Sequence, residues 1–405
     1  MQETHFSEII ETIRCANDLT LFEKLLAENE VIQTNTWIEK EAKKSPTSIR
    51  RHLLTTSVRL TEKMSPDIHA MANDCIERLG VKIPLELYVY ASPQFNAACF
   101  KPEQDRLYVM FSSSLLEGFT SQELKYVMGH ELGHHIYRHH EIPIGYLLKG
   151  KQKPSPKMTL ELFAWSRYAE ISADRAGAVC ADDFNSVASA LFKLSSGLGG
   201  STINFELDDF LRQVDEMQVL DVDPKDNAPT GDWFSTHPFS PLRVKALDFF
   251  HQSELMNSDI SKQELEIHVQ SLMGLMEPSY LEGKTESAEA MRRLLFAGAI
   301  AVAAASGGIS EAEKKVFEDF FGKGSFKEEL NLEKLIASIG ERADAVKKMT
   351  SHARRYQLLR DLIIIARADD RVTSKERKVL VDIAANIGLS SADVEAALSL
   401  EYELD

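Results

Sequence analysis

The sequence predicts a mainly α-helical protein that contains one small antiparallel β-sheet and continues into an all-α domain. Most of the chain places apolar residues at the helical period between residues that cap helix ends. Two short segments, 85–90 and 106–111, are instead rich in β-branched and aromatic residues. Turns at Pro93 and Pro102 separate them, which predicts a pair of short antiparallel strands. Beyond residue 285 the composition becomes alanine-rich and stays helical.

Length and charge exclude several classes of protein. A chain of 405 residues is too long for one ordinary core. A net charge of −16 disfavours nucleic acid and anionic lipid surfaces as partners. The longest apolar run, 294–305, is shorter than the roughly 20 residues of a transmembrane helix. The four cysteines are too few for a disulfide framework. Since no signal peptide is recognisable either, we expect a cytoplasmic protein without transmembrane segments.

The part of the chain that precedes the predicted strands is expected to be helical. Residues 1–57 are amphipathic and form a helical N-terminal region. A second helical stretch runs from Ser65 to Leu79. Ser65 is the predicted cap, Pro66 suits the first helical position, and Gly80 suits the exit.

Two further helices follow the strands. Thr120 and Glu123 form a capping box, and the helix that they open is expected to continue to about His140. A proline- and lysine-rich loop, 141–158, precedes a long helix from about Thr159 through Gly177. The next stretch, residues 197 to 235, is rich in Gly, Asp and Pro and is expected to be largely loop, until Ser240-Pro241 opens another helix.

The first of these helices contains the pattern His130-Glu131-Leu132-Gly133-His134. Residues four apart lie on one helix face, so both imidazoles reach the same ion. Glu131 is adjacent to the first histidine and is the predicted general base for a water on that ion. A catalytic zinc takes three protein ligands and leaves one position open. The pattern therefore predicts a Zn²⁺ site that needs one more ligand.

The long helix supplies the best third ligand. Glu170 and Asp174 are one turn apart and share a face, so one carboxylate can bind the ion while the other accepts a hydrogen bond from a ligand histidine. Small residues on the same helix favour a close approach to the first helix: Ala169, Ala173, Ala176 and Gly177. Cys99 is an alternative upstream ligand. Nearby histidines are expected only to complement the helix C-terminus: His135, His139 and His140.

Together with Ser235-Thr236-His237-Pro238 and the downstream Arg243, these patterns resemble the gluzincin family that contains HtpX, Oma-type and CAAX prenyl endopeptidases. The resemblance covers about residues 58–250. It implies a zincin-like α+β peptidase domain with one Zn²⁺ per chain, held by His130, His134 and Glu170. It also implies a role for His237 and Arg243 near the scissile carbonyl or the substrate. Asn96 and Ala97 resemble the family's edge strand, along which an extended peptide could bind. The chain departs from the family in lacking its usual membrane helices.

In the C-terminal part of the chain an acidic turn, Asp369-Asp370, precedes a capping box of Thr373 and Glu376, and Ser310 with Glu313 forms a weaker first copy. With these features, residues 286–400 resemble the TerB-like helical domain. The acidic residues are too close together for a calcium loop of twelve positions. We therefore expect helix capping here, and a recruitment or regulatory domain that binds a protein partner.

These observations predict a zinc-dependent endopeptidase that acts on peptides or unfolded proteins in quality control or stress. The expected division is a helical N-terminal region (1–57), the peptidase domain (58–250), a helical connector (251–285) and the TerB-like domain (286–405). Two alternatives stay open. One is a zinc-binding scaffold or sensor that cleaves nothing, which the intact Glu131 disfavours. The other is a latent peptidase whose cleft is covered by the loop 141–158 or by the N-terminal helices.

Overall fold

The computed structural model divides the chain into two compact units, each described here by itself. The first unit comprises residues 1–143, 165–214 and 237–272, and the second comprises 144–164, 215–236 and 273–405. The residues that the structure describes are 10–44, 48–149, 154, 156–199, 204–220, 238–274, 276, 286–305, 318, 332–350, 352–367 and 372–399.

The N-terminal region is helical, as its amphipathic pattern predicts. It contains α1 (Ala16–Leu26), α2 (Asn29–Lys44) and α3 (Ile49–Thr56). After the first strand, α4 spans Pro66–Leu79 and ends at Gly80, whose φ of 63° lies in the left-handed region. The predicted cap at Ser65 is wrong, because its hydroxyl donates to the Thr61 carbonyl at 3.3 Å and caps no helical N–H.

One small sheet completes the predicted fold class, which the structure confirms as mainly α with a small sheet. The strands are β1 (Val58–Leu60), β2 (Leu85–Tyr90), β3 (Ala97–Glu103) and β4 (Arg106–Ser112), in the order β1-β2-β4-β3. The outer pairs are antiparallel, but β2 and β4 are parallel, so the predicted antiparallel pairing of 85–90 with 106–111 is wrong. The reason is β3, which reverses the chain between them. A tight turn at Gln104 and Asp105, both with positive φ, joins β3 to β4.

The helix that carries the two motif histidines, α6 (Ser121–Ile136), follows a short α5 (Ser113–Gly118). The capping box is confirmed: the Thr120 N–H donates to the Glu123 carboxylate at 2.7 Å, and the Glu123 N–H donates to the Thr120 hydroxyl at 3.4 Å. The helix ends four residues before His140, so its predicted end is wrong. Arg138 adopts the left-handed conformation with φ 62°, which breaks the helix and leads into a 3-10 turn, His139–Glu141.

Six further helices are described between the 3-10 turn and residue 273. They are α7 (Ile144–Lys149), α8 (Pro156–Ala181), α9 (Phe184–Ser196), α10 (Leu207–Leu220), α11 (Ser240–His251) and α12 (Lys262–Met273). Within the first unit, α6 packs against α4, α9 and β3, and α9 packs against α11. The prediction of a largely loop-like 197–235 is wrong for α10, where Phe210 and Val214 are buried one turn apart.

The C-terminal part of the second unit is all-α, as predicted. It contains α13 (Glu286–Ala305), α14 (Leu332–Ala337), α15 (Ile339–Met349), α16 (His352–Ala366), α17 (Ser374–Asn386) and α18 (Ser391–Ser399). The apolar α13 is central, with α15, α16 and α17 packed against it. The capping box of Thr373 and Glu376 is confirmed. Its proposed first copy, and the acidic turn 369–370, lie outside the described residues. Among the helices that are described, none has the length and apolarity of a membrane span.

Candidate metal centre

The candidate site forms where α6 and α8 approach each other closely. A Cβ atom on Gly133 would lie 2.9 Å from the Ala173 Cα, and one on Gly177 would lie 2.6 Å from the Tyr126 carbonyl oxygen. Real Cβ atoms essentially never come so near, so larger side chains at these positions would push the helices apart. This confirms the close approach that the small residues of α8 predict. It brings side chains from the two helices together at one point.

Three side chains converge there. His130, His134 and Glu170 each offer one donor atom, and these atoms lie within 4.8 Å of one another. The Nε2 atoms of the histidines are 3.1 Å apart, and they lie 3.5 and 3.3 Å from the carboxylate oxygens of Glu170. Four ligands placed tetrahedrally at zinc distances of about 2.0–2.1 Å are about 3.3 Å apart. The donor set and its spacing therefore fit a zinc ion with three protein ligands.

Asp174 contacts His130 at Nδ1, the ring nitrogen that faces away from the other two predicted ligands. Its carboxylate lies 2.9 Å from His130 Nδ1 and accepts hydrogen bonds from the Tyr126 hydroxyl at 2.7 Å and from Arg243 at 2.8 and 2.6 Å. Burial would raise the pKa of Asp174, but the Arg243 guanidinium and the contact with His130 hold it well below its usual range. An ionised Asp174 can only accept, so the hydrogen of His130 lies on Nδ1. Its Nε2 lone pair therefore faces Glu170 and His134.

Arg243 is buried beneath the site. Besides its two hydrogen bonds to Asp174, its Nη2 lies 3.3 Å from the Glu170 carboxylate. Burial would lower the pKa of Arg243, but Asp174 raises it well above its usual value, so the side chain stays charged. The guanidinium thus contacts the predicted ligand Glu170 and also Asp174, which accepts a hydrogen bond from the predicted ligand His130. Its partner in the sequence pattern, His237, lies outside the described residues.

His139 has a role in the site that its sequence position does not indicate. Its Nδ1 lies 2.8 Å from His134 Nδ1, and its Nε2 lies 3.2 Å from the Asp18 carboxylate. Burial lowers the pKa of His139 to about 4, against the opposing effect of Asp18. The prediction that His139 only complements the helix C-terminus is therefore wrong, because its ring is buried between His134 and Asp18. His135 and His140 instead stack on each other, with ring centroids 6.2 Å apart.

The edge strand β3 lies beside the helix of the motif. Glu131 is half-exposed, and its carboxylate is close enough to contribute, after burial, to the raised pKa of the Cys99 thiol on β3. Asn96 directs both backbone groups towards Ser112: its N–H donates to the Ser112 hydroxyl at 3.1 Å, and its carbonyl accepts from the Ser112 N–H at 2.9 Å. Because strand residues alternate, Ala97 and Cys99 direct their backbone groups away from β4.

Sequence reasoning missed Asp18 and its link to the metal centre. A signal was present, since Asp18 lies on the same stripe of α1 as the buried Phe22 and Leu25, where a charge needs a buried partner. Arg14, four residues earlier, supplies one such partner at 2.8 Å. The long-range partner, His139, could not be read from spacing.

Comparison with known proteins gives two matched regions. Residues 62–149 and 155–250 match peptidase family M48, and residues 292–399 match the tellurite resistance protein TerB family. The chain is 29% identical over 215 residues to the plastoglobule-localized metallopeptidase 48 of Arabidopsis thaliana, which covers 49% of this chain and 60% of that protein. It is 41% identical over 58 residues to the protease HtpX of Shewanella loihica, covering 14% and 20% of the two chains. The chain thus spans less than two thirds of the length of either relative. No solved structure matches it significantly.

Proposed function

We propose that this chain, whose residues 62–149 and 155–250 match peptidase family M48 and whose residues 292–399 match TerB, is a zinc-dependent endopeptidase. One observation carries the proposal. The Nε2 atoms of His130 and His134 are 3.1 Å apart, His134 Nε2 lies 3.3 Å from Glu170 Oε1, and His130 Nε2 lies 3.5 Å from Glu170 Oε2. This is the spacing of ligands around a single zinc ion. Two imidazole nitrogens and a carboxylate that face one point are the donor set of a catalytic zinc site with three protein ligands.

Glu131 is the proposed general base. It lies next to a predicted ligand, and its carboxylate does not belong to the three-residue cluster, so it stays available for proton transfer. A zinc ion bound there would lower the pKa of a water and polarise the scissile carbonyl. Glu131 would take the proton from that water and pass it to the leaving amine. Asp174 and Arg243 hold the ligand histidine His130 in the tautomer that binds metal.

We propose that the substrate binds as an added strand along β3. Ala97 and Cys99 turn their backbone groups away from β4, and the Cys99 side chain lies close to Glu131. A peptide that pairs with this edge would therefore run past the general base. Backbone hydrogen bonds give affinity with little sequence selectivity, which suits an unfolded protein as substrate. Asn96, whose backbone groups bond Ser112, would position the edge from behind.

The predicted role of Arg243 is refined by its place in the fold. Its burial against Asp174 and Glu170 favours positioning of the metal ligands over contact with the substrate. His237 stays a proposed second donor to the oxyanion, on the resemblance alone.

The decisive experiment compares Glu131→Gln with the unchanged protein, using casein and a peptide library as substrates. Metal analysis should find about one zinc per chain in both, because the base is not a ligand. Cleavage should fall by at least about 100-fold in the variant, as expected for a lost general base. Equal cleavage by both proteins would refute the assignment of Glu131. Zinc uptake without cleavage by either would favour the non-cleaving scaffold.

Several finer properties stay proposals. A role in quality control or stress, and a recruitment or regulatory function for residues 286–405, depend on the family resemblances. The boundaries at 57, 250 and 285 are likewise predictions. A cytoplasmic location is also a prediction from the sequence. Cell fractionation with a tagged full-length chain tests it.

A further inference from the structure

A buried carboxylate on α1 lies behind the His134 side of the candidate metal centre, outside the residues that match peptidase family M48. The side chain of Asp18 is fully buried. It accepts hydrogen bonds from Arg14 at 2.8 and 3.3 Å, from the Ser172 hydroxyl at 2.7 Å, from the Trp165 indole at 3.1 Å and from His139 Nε2 at 3.2 Å. So many donors hold an ionised carboxylate in one orientation.

The chemistry of these groups dictates where the protons lie. An ionised Asp18 only accepts, so the nearest nitrogen of His139, Nε2, carries hydrogen. A neutral His139 then presents the lone pair of its Nδ1, which lies 2.8 Å from His134 Nδ1. His134 must donate from Nδ1, and its own lone pair is left on Nε2. That atom belongs to the cluster of donor atoms with His130 and Glu170.

We propose that His139 and Asp18 are positioning residues that fix the tautomer and the ring orientation of His134 for metal binding. The inference rests on the proposed function, since it assumes that His134 is a ligand. Asp174 acts directly on His130, whereas Asp18 acts on His134 through one intervening imidazole. The helix α1 thereby becomes part of the metal centre. Loss of such outer partners typically lowers metal affinity about 10–100-fold.

A purely structural role for the same residues gives a different result in one pair of variants. His139→Leu removes the acceptor of the His134 N–H. His139→Asn branches at Cγ as histidine does, so its carbonyl oxygen takes the place of Nδ1 and still accepts. Neither variant reaches Asp18 as histidine does. If His139 only anchors α1, both variants are equally impaired. If it orients His134, asparagine restores part of the metal affinity.

The test uses the full chain and measures the Zn²⁺ dissociation constant by chelator competition, the visible spectrum with Co²⁺, and thermal unfolding. We expect His139→Leu to bind zinc about 10–100-fold more weakly than the unchanged protein. We expect His139→Asn to bind about 2- to 12-fold more tightly than His139→Leu, the equivalent of one hydrogen bond. The matched control, Trp165→Phe, removes one donor to Asp18 and keeps the His139 contact, so its zinc affinity should stay near the original. Equal affinities of the leucine and asparagine variants overturn the proposal.

A measurement on the unchanged protein needs no variant to fold. With ¹⁵N-labelled histidine and bound zinc, His139 should appear as the neutral tautomer with hydrogen on Nε2, and His134 with hydrogen on Nδ1. Hydrogen on His139 Nδ1 overturns the proposal. If the unchanged protein takes up no zinc, the proposed metal centre itself fails. If it takes up zinc and His139→Leu binds equally well, the inference about His139 and Asp18 fails alone.

Discussion

Replacing Arg243 with methionine removes the only guanidinium that the described residues place on Asp174. Methionine fills a similar volume but leaves the buried carboxylate with two hydrogen bonds, from the Tyr126 hydroxyl and His130 Nδ1. Two short bonds are lost, at 2.8 and 2.6 Å, together with a charge at 3.3 Å from Glu170. The variant therefore retains two buried carboxylates and loses their shared cation.

The expected cost follows from this burial. Removing one partner of a buried ion pair lowers the free energy of unfolding by about 3–5 kcal/mol, because the remaining charge stays desolvated. For a unit of this size, each kcal/mol shifts the melting temperature by about 2–4 °C, so we expect a fall of about 6–20 °C. Arg243→Lys keeps the charge without the planar fork and should lie between the two.

The assay is chemical and thermal unfolding of the full chain with a chelator present, so that metal binding does not contribute. The matched control is Lys245→Met on the same helix, α11. Lys245 pairs with Asp248 at 3.2 Å and is partly exposed, so its loss should cost at most about 1 kcal/mol. An Arg243→Met variant as stable as the Lys245→Met control would refute the reasoning about the buried pair.

Three further predictions concern the ligands, the helix contact and the substrate edge. His134→Ala should lower the zinc content from about one per chain to near zero, whereas the control His135→Ala should leave it unchanged. Metal analysis measures both, and full zinc content in His134→Ala would show that the site lies elsewhere. Gly177→Ala should lower the free energy of unfolding by about 1–3 kcal/mol, because the new Cβ would meet the Tyr126 carbonyl. The control Gly145→Ala meets nothing within 4 Å and should be neutral or stabilising. Equal stabilities of the two variants in urea unfolding would contradict the close contact. Cys99→Pro removes an outward N–H from β3 and should raise the KM for extended peptides about 2- to 12-fold while zinc affinity stays the same; an unchanged KM would place the substrate elsewhere.

The parts of the site that could be predicted are those with a short-range pattern. The spacing of His130 and His134 places them on one helix face, and the small residues of α8 predict that another helix packs closely against it. The structure places Glu170 beside both histidines, although ligation itself stays a prediction. The capping boxes at Thr120 and Thr373 were equally readable, because each involves only residues three apart.

What could not be predicted depends on single backbone angles or on distant partners. The helical pattern does not predict that Arg138 adopts a left-handed conformation. That conformation ends the helix and places His139 against His134. The meeting of His139 with Asp18 joins residues 121 apart in sequence. Likewise, the parallel pairing of β2 with β4 depends on β3, a strand with a proline that reads as a turn.

The proposed zinc ligands His130, His134 and Glu170 lie on two helices, α6 and α8, that the unfolded chain does not hold together. An ion that binds only the folded form shifts the folding equilibrium by mass action, by about 2.7 kcal/mol when its free concentration is 100 times the dissociation constant. If the proposed site binds zinc, the equilibrium stability of the folded first unit depends on the free zinc of its surroundings. With zinc bound at this site, as proposed, a cell that withdraws zinc would lower the resistance of this protein to degradation, so zinc supply would affect its abundance.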